Sequence, residues 1–253
     1  MKTVRNLALP ILVLVAWEAA GRTGAIADYL SYPSQIATTF WDLTLTGELP
    51  LDFAISAMRA YGGFAIGGTA GVIVGIAAGQ FRPVQNFFEP LVSLLYPIPK
   101  IAFLPVIILW LGLGDGSKIA IIAMSVFFPT FLAAFYAARQ VDRVYLWSAR
   151  SMGARGPRVF FRIVLPASLP QIFTGLRVGL ALAFIVLFAA ELMASRAGLG
   201  FLIVDGEDGV RFDMMFAGIF AIAIMGFISD RLLLVVRRRL LAGQLLRTQG
   251  EEV

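Results

Sequence analysis

The chain contains no cysteine and no histidine. Without cysteine there are no disulfides and no thiol nucleophile. Without histidine the usual acid–base catalyst and the commonest transition-metal ligand are gone, and no catalytic or metal site is expected. Charge is scarce as well: Asp, Glu, Lys and Arg make up 15% of the 253 residues, against about 25% in ordinary soluble domains. No G-x-x-x-x-G-K-[ST] phosphate loop is present, so the chain does not bind ATP by that means. There is no clear internal repeat and no low-complexity linker.

What is abundant is apolar. Hydrophobic residues make up 59% of the chain and the mean hydropathy is +0.83. They come in long runs, and a run of about 17–25 residues crosses about 30 Å of hydrocarbon as a helix. Six such runs are expected to span: Leu7 to Ala20, Ala60 to Gly79, Phe87 to Leu111, Ile119 to Ala138, Ala167 to Met193 and Met214 to Val236. The runs do not alternate, which favours helices over barrel strands. The first is short and holds Glu18. Its basic start and small residues also fit a cleavable signal peptide, and the retained helix is the preferred reading. The chain is expected to form a single transmembrane domain over residues 1–253.

The connections alternate in charge. Lys2 and Arg5 precede the first run; Asp28, Asp42, Glu48 and Asp52 follow it, against Arg22 alone. Next come Arg82, then Asp115, then four arginines (Arg150, Arg155, Arg158, Arg162), then Asp205, Glu207, Asp208 and Asp213 against Arg196 and Arg211. The tail carries Arg237, Arg238, Arg239 and Arg247. The positive-inside rule places both termini and the arginine segment in the cytoplasm. The isoelectric point of about 9.9 therefore reflects topology in a lipid bilayer, and no nucleic-acid partner is expected.

Several local patterns stand out. Gly63, Gly67, Gly71, Gly75 and Gly79 recur every fourth residue and line one helix face for close packing, within the chain or between two copies. Pro97, Pro99 and Pro105 interrupt the third run. Each lacks an N–H and disfavours helix in the residue before it. The run is therefore either a kinked helix or broken backbone. Broken backbone at membrane depth is tolerated only in protein or beside a cavity, which makes Pro97 and Pro99 candidates for the edge of a pathway. From Tyr32 to Leu45, Ser34 is placed to cap a helix whose Ile36, Thr39, Phe40 and Leu43 share a face, with Phe40 and Trp41 suited to an interface. In the arginine segment, Val144 to Met152 is helix-compatible, Gly153 stops it, Gly156–Pro157 turns the chain, and a second short helix is expected from Arg158 to Leu165. The result is a compact knob on the cytoplasmic side.

The stretch SARSMGARGPRVFFRIVLPASLPQIFTGLR resembles the cytoplasmic signature loop of permease subunits of bacterial ABC importers. That signature reads E-A-A, three residues, G, and, after a further helix, L-P-x-x-x-P; here the glycine is Gly153 and the prolines are Pro166 and Pro170. YPIPKIAFLPVIILWLGLGDGSK, the Gly175–Arg177 triplet GLR, AELMASRAGLGFLI and FAGIFAIAIMGFISDRL resemble one branch, the permeases for nitrate, sulfonates, taurine and related solutes. The likeness runs from about Val13 to Leu241. One departure is the E-A-A triplet, which is Trp147-Ser148-Ala149 and lacks the acid.

The resemblance implies an all-α integral membrane fold of six transmembrane helices with a cytoplasmic coupling helix. It implies that Trp147, Ser148, Ala149, Arg150, Ser151, Met152, Gly153, Ala154 and Arg155 dock on an ATPase subunit. The expected partners are a second permease copy as a homodimer, two ATP-binding cassette ATPases and an extracytoplasmic solute-binding protein, in the bacterial plasma (inner) membrane. The chain is then not itself an enzyme and holds no cofactor; ATP and Mg belong to the partner ATPase. A secondary transporter or channel is the rival reading, since Glu18, Lys100, Arg177 and Glu191 are ionisable residues within runs. A membrane enzyme lacks support, with no clustered carboxylates in the runs. For Lys100 and Arg177 two readings stay open: pairing with Glu18 or backbone carbonyls (or snorkelling by Arg177), or a pathway attractive to an anion.

Overall fold

The computed structural model describes residues 2–24, 30–141, 143–154 and 157–248. Among these there are helices and no strands. In chain order they are α1 (Lys2–Arg22), α2 (Pro33–Leu45), α3 (Glu48–Gln80), α4 (Arg82–Leu95), a 3-10 turn (Lys100–Phe103), α5 (Leu104–Leu111), α6 (Asp115–Arg139), α7 (Arg143–Ser151), the single turn α8 (Pro157–Val159), a π-helical segment (Phe160–Val164), α9 (Leu165–Ala194), α10 (Leu199–Asp208) and α11 (Phe212–Thr248). Four stretches are long and apolar enough to cross a membrane: Glu48–Gln80, Asp115–Arg139, Phe160–Ala194 and Phe212–Leu241. The pair Arg82–Leu95 and Lys100–Leu111 makes a fifth if taken together, and it is bent by 93°.

The helices form two compact units. The first comprises Met1–Met58 and Phe188–Met225. There Trp17 of α1 meets Phe216 of α11 edge to face at 6.2 Å, and Ile36, Thr39 and Leu43 of α2 are buried on one face as their spacing predicts. Ser34 does not cap α2. Tyr32 is the N-cap and makes no side-chain cap bond, because Pro33 already supplies a first position without an N–H. Ser34 instead donates from its backbone N and Oγ to the Glu18 carboxylate, at 2.9 and 2.7 Å. Glu48 and Asp52, expected in a loop, belong to α3, which begins well before its apolar run.

The second unit comprises Arg59–Leu187 and Gly226–Val253. Its centre is α6, whose Phe127, Phe131 and Phe135 stack at successive centroid distances of 5.8 Å. The glycine face of α3 lies directly on this helix. A Cβ at Gly71 would stand 2.7 Å from the Phe127 carbonyl oxygen, one at Gly75 2.5 Å from that of Phe131, and one at Gly79 2.8 Å from the Ala138 Cβ. At Gly67 it would strike the Ala123 carbonyl, and at Gly63 the Ile122 side chain. The stripe is therefore a packing surface within the chain. Gly175 and Gly179 of α9 approach α6 in the same way, at Ala133 and Val126.

Gly67→Ala must push two backbones apart, whereas a Cβ at Gly62 meets only the Ile119 side chain at 3.6 Å. Overpacking costs about 1–3 kcal/mol. Gly67→Ala is expected to lower the apparent melting temperature of the purified protein by several degrees, and Gly62→Ala to leave it unchanged, as read by scanning fluorimetry in detergent.

Candidate functional site

The third run is broken, not kinked. After Leu95 the chain leaves helix at Tyr96–Pro99 and resumes at Lys100. The cause is chemical: Pro97 and Pro99 have no N–H to continue the helical ladder, so Tyr96, still helical at φ −56° and ψ −45°, is the last residue in it, and the Leu95 carbonyl is left with the Ile98 N–H of a tight turn at 3.2 Å. The carbonyls at the break find a further donor. The Lys100 ammonium donates to Leu95 O at 2.9 Å and Tyr96 O at 2.6 Å, closing the C-terminal end of α4, where a cation is favoured. The same nitrogen lies 4.4 Å from the Phe128 ring centre and 5.4 Å from that of Tyr96, within cation–π range. Among the described residues no carboxylate pairs with it.

A cavity of about 280 Å³ opens beside this lysine. Ile98, Phe128, Leu182 and Val186 give it apolar walls, and Ser125 and Lys100 are its polar members. Phe128 stands midway along α6, so the cavity lies at the middle of that span. Pro99 lines it as well; Pro97 acts through the break.

Arg177 is placed differently. Its guanidinium pairs with Asp230 of α11 through two bonds, Nε to Oδ1 at 2.7 Å and Nη2 to Oδ2 at 3.0 Å. The planar fork suits this bidentate match. Its partner is thus Asp230 and not Glu18, which instead bonds Arg22 and Ser34. The structure does not join Arg177 to Lys100: it lines no wall of the Lys100 cavity.

On the cytoplasmic side as read from the loop charges, α7 ends at Ser151 and Gly153 adopts φ +81°. The Ala154 N–H bonds the Ala149 carbonyl at 2.9 Å, the closure expected of a glycine helix end. A Cβ at Gly153 would meet nothing within 4 Å, so its surface is open. Ala149 is buried, while Trp147 is 61% and Met152 80% exposed. Ser148 and Ser151 are exposed and Ala154 half-buried. Arg155 and Gly156 lie outside the described residues, as does the Arg150 side chain. The expected separate helix from Arg158 to Leu165 is not formed. The chain passes from Pro157 through the π-helical Phe160–Val164 straight into α9.

One cluster escaped the reading of charges. Glu191, 1% exposed, accepts from Ser56 Oγ at 2.8 Å and from the Gly200 N–H at 2.9 Å. Ser56 Oγ accepts the Leu199 N–H at 2.8 Å, and Asp52 accepts the Gly198 N–H at 2.6 Å. Three side chains thus hold the N-terminus of α10, where carboxylates are stabilised. The Gly198-Leu199-Gly200 triplet was the available signal. Gly198 needs its φ of +108°, and a Cβ at Gly200 would collide with the Cβ of Glu191. A second cluster has Arg59, nearly buried, bonding Asp115 at 2.7 Å, and the fully buried Lys118 donating to the Leu113 carbonyl.

Four apolar helices long enough to span, with a broken fifth pair beside a cavity, mark a multi-pass membrane protein. Residues 67–242 match the family of binding-protein-dependent transport system inner membrane components, and the chain belongs to that family. It is 34% identical over 239 residues to the aliphatic sulfonates transport permease protein SsuC of Bacillus subtilis (strain 168), covering 94% of this chain and 87% of the relative. It is 33% identical over 241 residues to the taurine transport system permease protein TauC of Escherichia coli (strain K12), covering 92% and 86%. It is 27% identical over 237 residues to the nitrate import permease protein NrtB of a Synechocystis species, covering 91% and 86%.

The α10 cluster yields a test. Glu191→Ala removes the acceptor of the buried Ser56 hydroxyl and Gly200 N–H, and each group left unmatched costs about 1–3 kcal/mol. Hydrogen exchange is expected to quicken sharply in residues 199–203 of this variant, with little change in α6.

Proposed function

We propose that this chain is the transmembrane permease subunit of an ATP-driven importer. Two copies form the translocation pathway, two ATP-binding cassette subunits supply ATP and Mg chemistry, and an extracytoplasmic binding protein delivers the solute. The solute is a small anion such as a sulfonate or nitrate. Relatives named for sulfonates, taurine and nitrate support that choice. The reading has six spans in a bacterial inner membrane with both termini inside: α1, α3, the α4–α5 pair, α6, α9 and α11, as one domain. Cations at the ends assigned to the cytoplasm support this orientation.

The observation that carries the reading is the knob at residues 143–154. Its Trp147 and Met152 side chains stand exposed on a short helix closed by Gly153. Large exposed apolar side chains on a rigid, turn-bounded element fit a docking surface. An element of this kind transmits a partner's rigid-body motion.

Met152→Glu puts a charge on the knob without disturbing the φ of Gly153. The variant is expected to insert normally yet retain about tenfold less ATPase on affinity purification, matching the loss of a central contact. Full retention with normal uptake would remove the docking role. A C-terminal tag is expected to resist protease added outside intact cells, and its cleavage would reverse the topology.

A further inference from the structure

We propose that Lys100 is a solute-contacting residue, which holds the acidic head of a small organic anion whose apolar part lies against Ile98, Phe128, Leu182 and Val186. The proposal rests on the permease reading above and deepens it. An ammonium has three N–H donors. In this chain two are taken by the Leu95 and Tyr96 carbonyls, and neither acceptor removes the charge. Two other cations are matched by carboxylates instead: the buried Arg59 faces Asp115, and the exposed Arg177 is paired with Asp230. Lys100 thus brings a charge with no carboxylate partner among the described residues to an open cavity.

The cavity selects the rest of the ligand. Its volume of about 280 Å³ falls just below the about 300–1,000 Å³ usual for ligand pockets, which suits a small solute. Its walls are aliphatic and aromatic apart from Ser125 and the lysine. A bare inorganic anion would meet the ammonium and leave the walls without contact. An uncharged apolar solute would fill the walls and leave the third N–H without an acceptor. A short-tailed anion satisfies both. The carbonyl anchors also fix the ammonium in place, so little side-chain freedom is lost on binding. In a pathway made by two copies, each would supply one such station.

The test uses the detergent-purified permease with its ATPase subunits and without a binding protein, titrated calorimetrically with sodium butane-1-sulfonate, sodium nitrate and butan-1-ol. Butane-1-sulfonate is expected to bind, nitrate about tenfold or more weakly, and butan-1-ol not measurably. Lys100→Gln is expected to weaken butane-1-sulfonate about tenfold or more. Val186→Trp, which fills the apolar wall and leaves the ammonium, is expected to bring butane-1-sulfonate down to the affinity of nitrate. Because Lys100 also closes α4, Lys100→Gln could disturb assembly; Val186→Trp and the three-probe series then decide the matter alone. Equal affinity in wild type and Lys100→Gln, butan-1-ol as tight as the sulfonate, or no sulfonate binding by a complex that hydrolyses ATP would each overturn the assignment and leave the permease reading standing. A wild-type chain that retains no ATPase would overturn that reading, and this assignment with it.

Discussion

Backbone-to-backbone contact between α3 and α6 sets the geometry of the second unit. In a bilayer, apolar side chains gain little by leaving lipid for protein, so helices are held by close fit. The glycines from Gly63 to Gly79 bring α3 onto the carbonyls of α6 at Ala123, Phe127, Phe131 and Phe135. Gly175 and Gly179 bring α9 onto α6 as well. With two helices seated on small residues, α6 can point its phenylalanines toward α4, where Phe131 meets Phe88. That placement puts Phe128 under the Lys100 ammonium. The cavity thus follows from where the side chains are missing on α3 and α9.

The second governing constraint is that polar backbone at membrane depth must find partners inside the protein. The break at Tyr96–Pro99 exposes carbonyls, and a lysine one residue past the break covers them. The N-terminus of α10 exposes N–H groups, and Asp52, Ser56 and Glu191 take them. The same rule explains two ionisable residues that would otherwise suggest ion coupling. Glu191 is a buried acceptor for backbone and hydroxyl donors, and Arg177 is matched by Asp230.

The periodic features were legible in the residues. A glycine every fourth position can only line one helix face, and Gly153 could be expected to end α7 because a left-handed residue costs glycine least. The buried face of α2 followed from its spacing. What escaped the reading depends on chain distance. Asp230 lies far from Arg177 in sequence, and no local pattern announces their meeting. Asp52 looked like loop charge because α3 starts before its apolar run, and only the position of Gly198 shows what the carboxylate is for. Ser34 has the right chemistry for a cap, but Pro33 removes the need and Glu18 competes for the hydroxyl. The departure after Pro157 has a different origin. Its apolar residues fit an isolated short helix and the start of a long one equally well, and the continuation into α9 decides between them.

The π-helical turn at Phe160–Val164 is in effect one residue more than an α-helix would use over the same length. Successive α-helical residues are offset by about 100° around the axis, so the wide turn shifts the angular phase between the α8 end and the body of α9. The direction in which the chain enters the α8 turn is therefore written in residue count. Deleting one position from Phe160–Val164 would let the stretch wind regularly and rotate Pro157–Val159 by about 100° against the body of α9.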